Sequence, residues 1–111
     1  MIPDPSPPFT VEMSGMVQDR LAVILRRAKD QQRWAEVTPV LSDISERLRM
    51  DPRGWGDPLR DLRQMQLTFY RGILKPFIVY YSVHQRIPIV SVWRIEVDSD
   101  DQLTPPTENG Q

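Results

Sequence analysis

At 111 residues the chain holds one domain's worth of core, and 40% hydrophobic with 26% charged residues is ordinary globular composition. It has no cysteine and a single histidine, His84, which excludes disulfides, thiolate catalysis and Cys- or His-rich metal centres. The net charge of −1 hides a split: all 14 Lys and Arg fall between Phe9 and Val97 with ten acids, so that stretch is +4. A moderately basic body can meet a polyanion such as nucleic acid or the ribosome, but +4 is a weak footprint.

The two ends differ from the body. Residues 1–8 contain four prolines, and 98–111 read DSDDQLTPPTENGQ, with almost nothing to bury. Both are expected to be flexible tails. The acidic one is either a solubilising end or a shield for the basic face of its own domain. No apolar run approaches the roughly 20 residues that span a bilayer. The N-terminus has neither the basic nor the apolar region of a signal peptide. A soluble protein of the cytoplasm, with no membrane partner, is the expectation.

Within the body, Phe9 to Met13 alternates apolar and polar as a half-buried strand does. Ser14 then stands where a helix N-cap is wanted, followed by Val17, Leu21, Ile24, Leu25 and Ala28 as one apolar stripe. A polar break over 30–33 separates this helix from a second. Proline is welcome in a first helical turn and costly deeper in, so Thr38 is expected as the N-cap and Pro39 as the first helical residue. Val40, Leu41, Ile44 and Leu48 make the second stripe, and Asp51-Pro52 ends it. DPRGWGDP, with two glycines and two prolines, reads as a loop.

Three strands follow. Residues 66–71 alternate, with Leu67 and Phe69 on one side and Thr68 and Tyr70 on the other. Gly72 to Pro76 is expected to turn the chain. Phe77 to Val83 is a nearly continuous apolar run, the pattern of a central strand. His84 to Arg86 turns again, and Ile87 to Val97 forms the last strand. Strict alternation would put Ile87, Ile89, Trp93 and Ile95 on one face, with Trp93 buried under the helices, and Val90, Val92 and Arg94 on the other. The fold class is therefore α+β in the order β-α-α-β-β-β. A two-helix hairpin packs on one face of a small, mainly antiparallel, four-stranded sheet, and the opposite face is partly open.

Several local features together resemble the RelE/ParE toxin superfamily: ERLRMDP ending the second helix, PLRDLR after a Gly/Pro loop, FIVYYSV in the centre and VSVWRI at the close. The resemblance covers residues 9–97. It implies the toxin half of a type II toxin–antitoxin pair, as in plasmid stabilisation systems, neutralised by an antitoxin that wraps it with a helix or strand. It also implies an exposed apolar groove for that partner. Some members act as ribosome-dependent mRNA endonucleases and others poison DNA gyrase. Metal-free RNA cleavage through the ribose 2′-OH needs a base, an acid and cations on the phosphate. The nuclease branch places Lys and Arg on its middle strands, but those positions fall here on Leu67, Phe69 and near Ile78. Only Arg94 lies close to a family arginine, and no Tyr or His follows Trp93. The resemblance thus implies the non-nuclease branch or a member without activity, and enzymatic action stays open. The alternative is a noncatalytic interaction module that keeps the fold without toxicity.

The candidate site residues each carry an ordinary reading beside the functional one. Arg94 on the open face could meet a phosphate or an antitoxin carboxylate, or pair with Glu96 or Glu12. Arg71 and Lys75 flank a turn, and Arg60 and Arg63 lead into the second strand of the sequence pattern; all four could extend a basic edge or simply be solvated. His84 is the one side chain whose ordinary pKa lies near neutrality. Tyr70 and Tyr81 could stack on a base or pack in the sheet. No cofactor and no metal is expected.

Overall fold

A computed structural model describes residues 6–98; the expected flexible tails at 1–8 and 98–111 lie largely outside them. The elements run β1 (Thr10–Met13), α1 (Gly15–Asp30), α2 (Trp34–Met50), a single-turn α3 (Pro52–Trp55), β2 (Asp57–Leu62), a 3₁₀ turn, β3 (Leu67–Leu74), β4 (Phe77–His84) and β5 (Ile89–Val97). They build an α+β fold with one mixed sheet in the order β1-β5-β4-β3-β2. β1 runs parallel to β5 and every other neighbour is antiparallel.

α1 starts where its sequence says it should. The Ser14 hydroxyl accepts from the Val17 N–H at 3.2 Å, satisfying one of the orphan donors of the first turn. Ile24 and Ala28 are fully buried on its stripe. α2 begins earlier than expected, at Trp34, which puts Pro39 in its second turn. The extra turn is anchored by Val37, which is fully buried and extends the stripe of Ile44 and Leu48 backwards. Pro39 and Ala35 both face solvent, so the carbonyl that loses its i+4 donor can be hydrated. Packing of one apolar residue outweighs the proline signal.

The sheet has five strands rather than four. The additional one, β2, reads in sequence as a loop and a basic lead-in. Pro58 and a bulge at Leu59 break its alternation, and it lies at an edge, where a missing N–H is tolerated. β3 also continues beyond its expected end, and the turn shrinks to Lys75-Pro76. Gly72 is consequently a strand residue. A Cβ there would meet the Trp55 ring at 2.6 Å, so this glycine serves a close approach and not a turn.

Phe77, Val79, Tyr81 and Val83 of β4 line the helix face and are essentially inaccessible. Val90, Val92, Ile95 and Val97 of β5 join them. Tyr81 is the pivot of this layer. Its ring is stacked with Tyr70 at 5.3 Å and with Trp55 at 5.6 Å. Its hydroxyl donates to the Pro52 carbonyl and accepts the Gly56 N–H at 2.9 Å, tying the α3 turn to the central strand. Burial pushes its phenol far above the ordinary tyrosine range, only partly offset by the Gly56 N–H. Tyr70 is raised for the same first reason.

Two outcomes follow for stability. Tyr81→Phe should lose about 1–3 kcal/mol in urea denaturation at pH 7, because a buried carbonyl and a buried N–H lose their partner. Both tyrosines stay protonated in the fold to higher pH than in the unfolded chain, so the folded state binds more protons above about pH 10 and stability falls as pH rises from there. Alkaline denaturation followed by circular dichroism should show that loss, and less of it in Tyr81→Phe.

Candidate functional site

The helices cover one face of the sheet and leave the other to solvent. Cross-strand partners share a face, so the register assigns the open side residue by residue. Asp57, Arg71, Tyr80 and Arg94 form one row across β2, β3, β4 and β5. Neighbouring Cβ atoms in such a row stand about 5 Å apart, so Tyr80 has an arginine as its cross-strand neighbour on each side. The adjacent row is Arg60, Phe69, Ser82 and Ser91. On the other side lie Ile73, Ile78 and Glu96.

A bulge in β5 concentrates the face. Tyr80 pairs with Arg94 and Tyr81 with Val92, so Trp93 is an extra residue with no cross-strand partner. Strict alternation ends there, and Trp93 and Arg94 both emerge on the open side while Ile95 returns to the core. This corrects the sequence expectation on two counts: Trp93 is 54% exposed and not under the helices, and Ile95 shares a face with Val92. The Trp93 indole N–H donates to Ser82 Oγ at 2.8 Å, and its ring lies 5.9 Å from Phe69. Ser82 is thereby 1% exposed on a face that no helix covers. At the β2 bulge a cleft of about 380 Å³ opens between Leu59, Arg60, Phe69, Tyr70 and Tyr80.

The sequence candidates scatter over this frame. Arg71, Arg94 and Arg60 come together on the open face. Arg94 is ion-paired with Glu96, one of the two ordinary partners foreseen for it. Arg63 sits in the 3₁₀ turn, highly exposed and 3.7 Å from Asp61. Lys75 is at the tip of the β3–β4 turn. His84 closes β4, and its Nδ1 accepts the N–H groups of Arg86 at 3.0 Å and Ile87 at 3.1 Å, so that nitrogen shapes the turn. Tyr70 and Tyr81 belong to the helix face as packing groups. The tyrosine that faces outward is Tyr80, which the sequence reading passed over. Its signal was present: in FIVYYSV, burial of Tyr81 forces Tyr80 to the opposite side. Phe69 and Trp93 complete the aromatic set.

Chemically the face offers cations and aromatic surface, a combination suited to polyanions or to a partner's acidic and apolar side chains. An acid–base pair is harder to find. Glu96 is held by Arg94, and one nitrogen of His84 is committed to its turn. Among the described residues no three His, Cys, Asp or Glu gather in a way that could hold a metal ion. On the helix side, a small apolar cleft of about 120 Å³ opens near Val11, Leu21, Leu41 and Val79.

No family model matches the chain, and no curated protein does. Among solved structures it is similar to a chain of the archaeal RelE–RelB complex from Pyrococcus horikoshii OT3. That match has 17% identity and a TM-score of 0.49, and it covers 85% of this chain and 99% of the other.

The placement of Trp93 is open to a direct check. Trp93→Ala should cost no more than about 1 kcal/mol in urea denaturation, against the roughly 3–5 kcal/mol of a truncated core aromatic.

Proposed function

We propose that the chain is a toxin-like component of a type II toxin–antitoxin system, and that it acts by contact through the open face of its sheet rather than by cutting RNA. The observation that carries this is the row Arg71–Tyr80–Arg94 with Phe69 and Trp93 beside it on the open face, the arginines and Trp93 exposed and the two other rings half-buried. The motifs that resemble the RelE/ParE superfamily support the toxin class. In this reading the antitoxin covers the open face, and the target is the translating ribosome with its mRNA or DNA gyrase. Action in the cytoplasm belongs to the same proposal; no helix among the described residues is long and apolar enough to cross a membrane.

A second reading has its own observation. Glu96 neutralises Arg94 from the same face, as expected of a protein-interaction module that has kept the surface without toxicity.

Controlled induction in a bacterial host separates the two. The intact chain should arrest growth, and Arg71→Ala with Arg94→Ala should relieve the arrest. Each lost charge-assisted contact should weaken target binding by roughly ten- to a hundredfold. Normal growth with abundant soluble protein would transfer the assignment to the interaction module. Arrest that survives the double substitution would remove the open face from the mechanism.

A further inference from the structure

β1 covers only the first half of β5. Its four residues pair with Ile89 to Val92, and from Trp93 to Val97 no strand among the described residues lies on that side. Such an edge presents backbone groups in need of partners. Which groups these are follows from the end of the strand. Asp98 donates its N–H to the Pro76 carbonyl, on the β4 side, at 2.8 Å. Alternation then turns Glu96 and Arg94 towards β4 as well, and sends the N–H and C=O groups of Ile95 and Val97 outward. The Ile95 carbonyl takes one outside donor, Arg20 Nε of α1 at 3.1 Å, which leaves it a second lone pair.

The side chains along this edge are self-complementary. Arg94 and Glu96 stand on the open face on either side of Ile95 and pair within the strand. A cleft of about 440 Å³ runs alongside, with Met16 84% exposed on the helix side and Trp93 54% exposed on the other. We propose that a second copy of this chain occupies the edge, its β5 antiparallel to the first and centred on Ile95. Each Ile95 then exchanges both backbone bonds with its counterpart. Each Arg94 faces Glu96 of the second copy, with Cβ atoms about 5 Å apart. Four charges of alternating sign close a ring on the open face, and such a network holds better than an isolated surface pair. The contact is isologous, with the helices of both copies on one side of a continuous sheet, and it covers Met16 and Trp93. A foreign acidic strand would satisfy Arg94 but set a carboxylate against Glu96. Val92 is already paired with Met13, so the shared ladder stops at 93–97 and the dimer is weak. This inference does not rest on the toxin reading, because its test reads association and not activity.

Sedimentation equilibrium of the full chain should show a monomer–dimer equilibrium with a dissociation constant on the order of 10–100 µM, as suits a short interface. Arg94→Glu sets carboxylate against carboxylate across the twofold axis, and Glu96→Arg sets guanidinium against guanidinium. Each should weaken association by roughly tenfold or more. Arg94→Glu combined with Glu96→Arg makes the facing charges opposite again and should restore the dimer, with circular dichroism checking the fold of all three variants. Amide exchange at Ile95 and Val97 should slow as the concentration of the intact chain rises. A chain that stays monomeric at its highest soluble concentration would overturn the proposal and leave the edge to a different partner. So would a dimer indifferent to the single reversals, one that the double variant does not restore, or protection that appears at β2 instead.

Discussion

Tyr81 holds the parts of this fold in one arrangement. It is fully buried at the centre of β4, and the chain can bury a phenol there only by supplying partners for its hydroxyl. The α3 turn supplies them, through the Pro52 carbonyl and the Gly56 N–H. Because Gly56 directly precedes β2, the same contact delivers the edge strand to β3. A Cβ at Gly56 would meet the hydroxyl at 2.5 Å, so the approach depends on glycine. Trp55 closes over the ring and over Gly72, which makes the non-helical end of the core an aromatic stack.

The neighbouring residue carries the consequence to the other side of the sheet. Successive strand residues point to opposite faces, so anchoring Tyr81 inward sets Tyr80 outward between Arg71 and Arg94. The β5 bulge falls between the partners of these two tyrosines. Without the extra residue, strict alternation could not keep both Val92 and Ile95 in the core while turning Trp93 and Arg94 out. Core and candidate surface are thus set by one local irregularity, and neither can shift register without disturbing the other.

The edges of the sheet are managed differently. β2 carries Pro58, a bulge and a charged sequence, all of which discourage further pairing. β5 is covered by a strand for half its length and by Arg20 at one carbonyl beyond it. Along its second half, Met16 and the bulged Trp93, both largely exposed, line one cleft. Cation, apolar surface and open backbone converge there more closely than at the other edge.

Several features depend on local chemistry alone and are legible in the chain. The Ser14 cap, the stripe through Ile24 and Ala28, the apolar β4 run and the order of the main elements are periodicities and capping rules that need no distant partner. The one-sided packing followed, since two helices carry one stripe each. Contacts between distant segments settle what those rules leave degenerate. Val37 overrode the proline signal because a buried side chain outweighs a solvent-facing carbonyl without its donor. β2 could not be read because its pairing comes from β3 and from the glycine beneath Tyr81, not from its own alternation. Trp93 could not be placed because a bulge is a relation between two strands, and one extra residue inverts every face assignment after it. The composition of the open face was therefore set by pairing, which joins residues far apart in the chain, although each of its side chains was visible from the start.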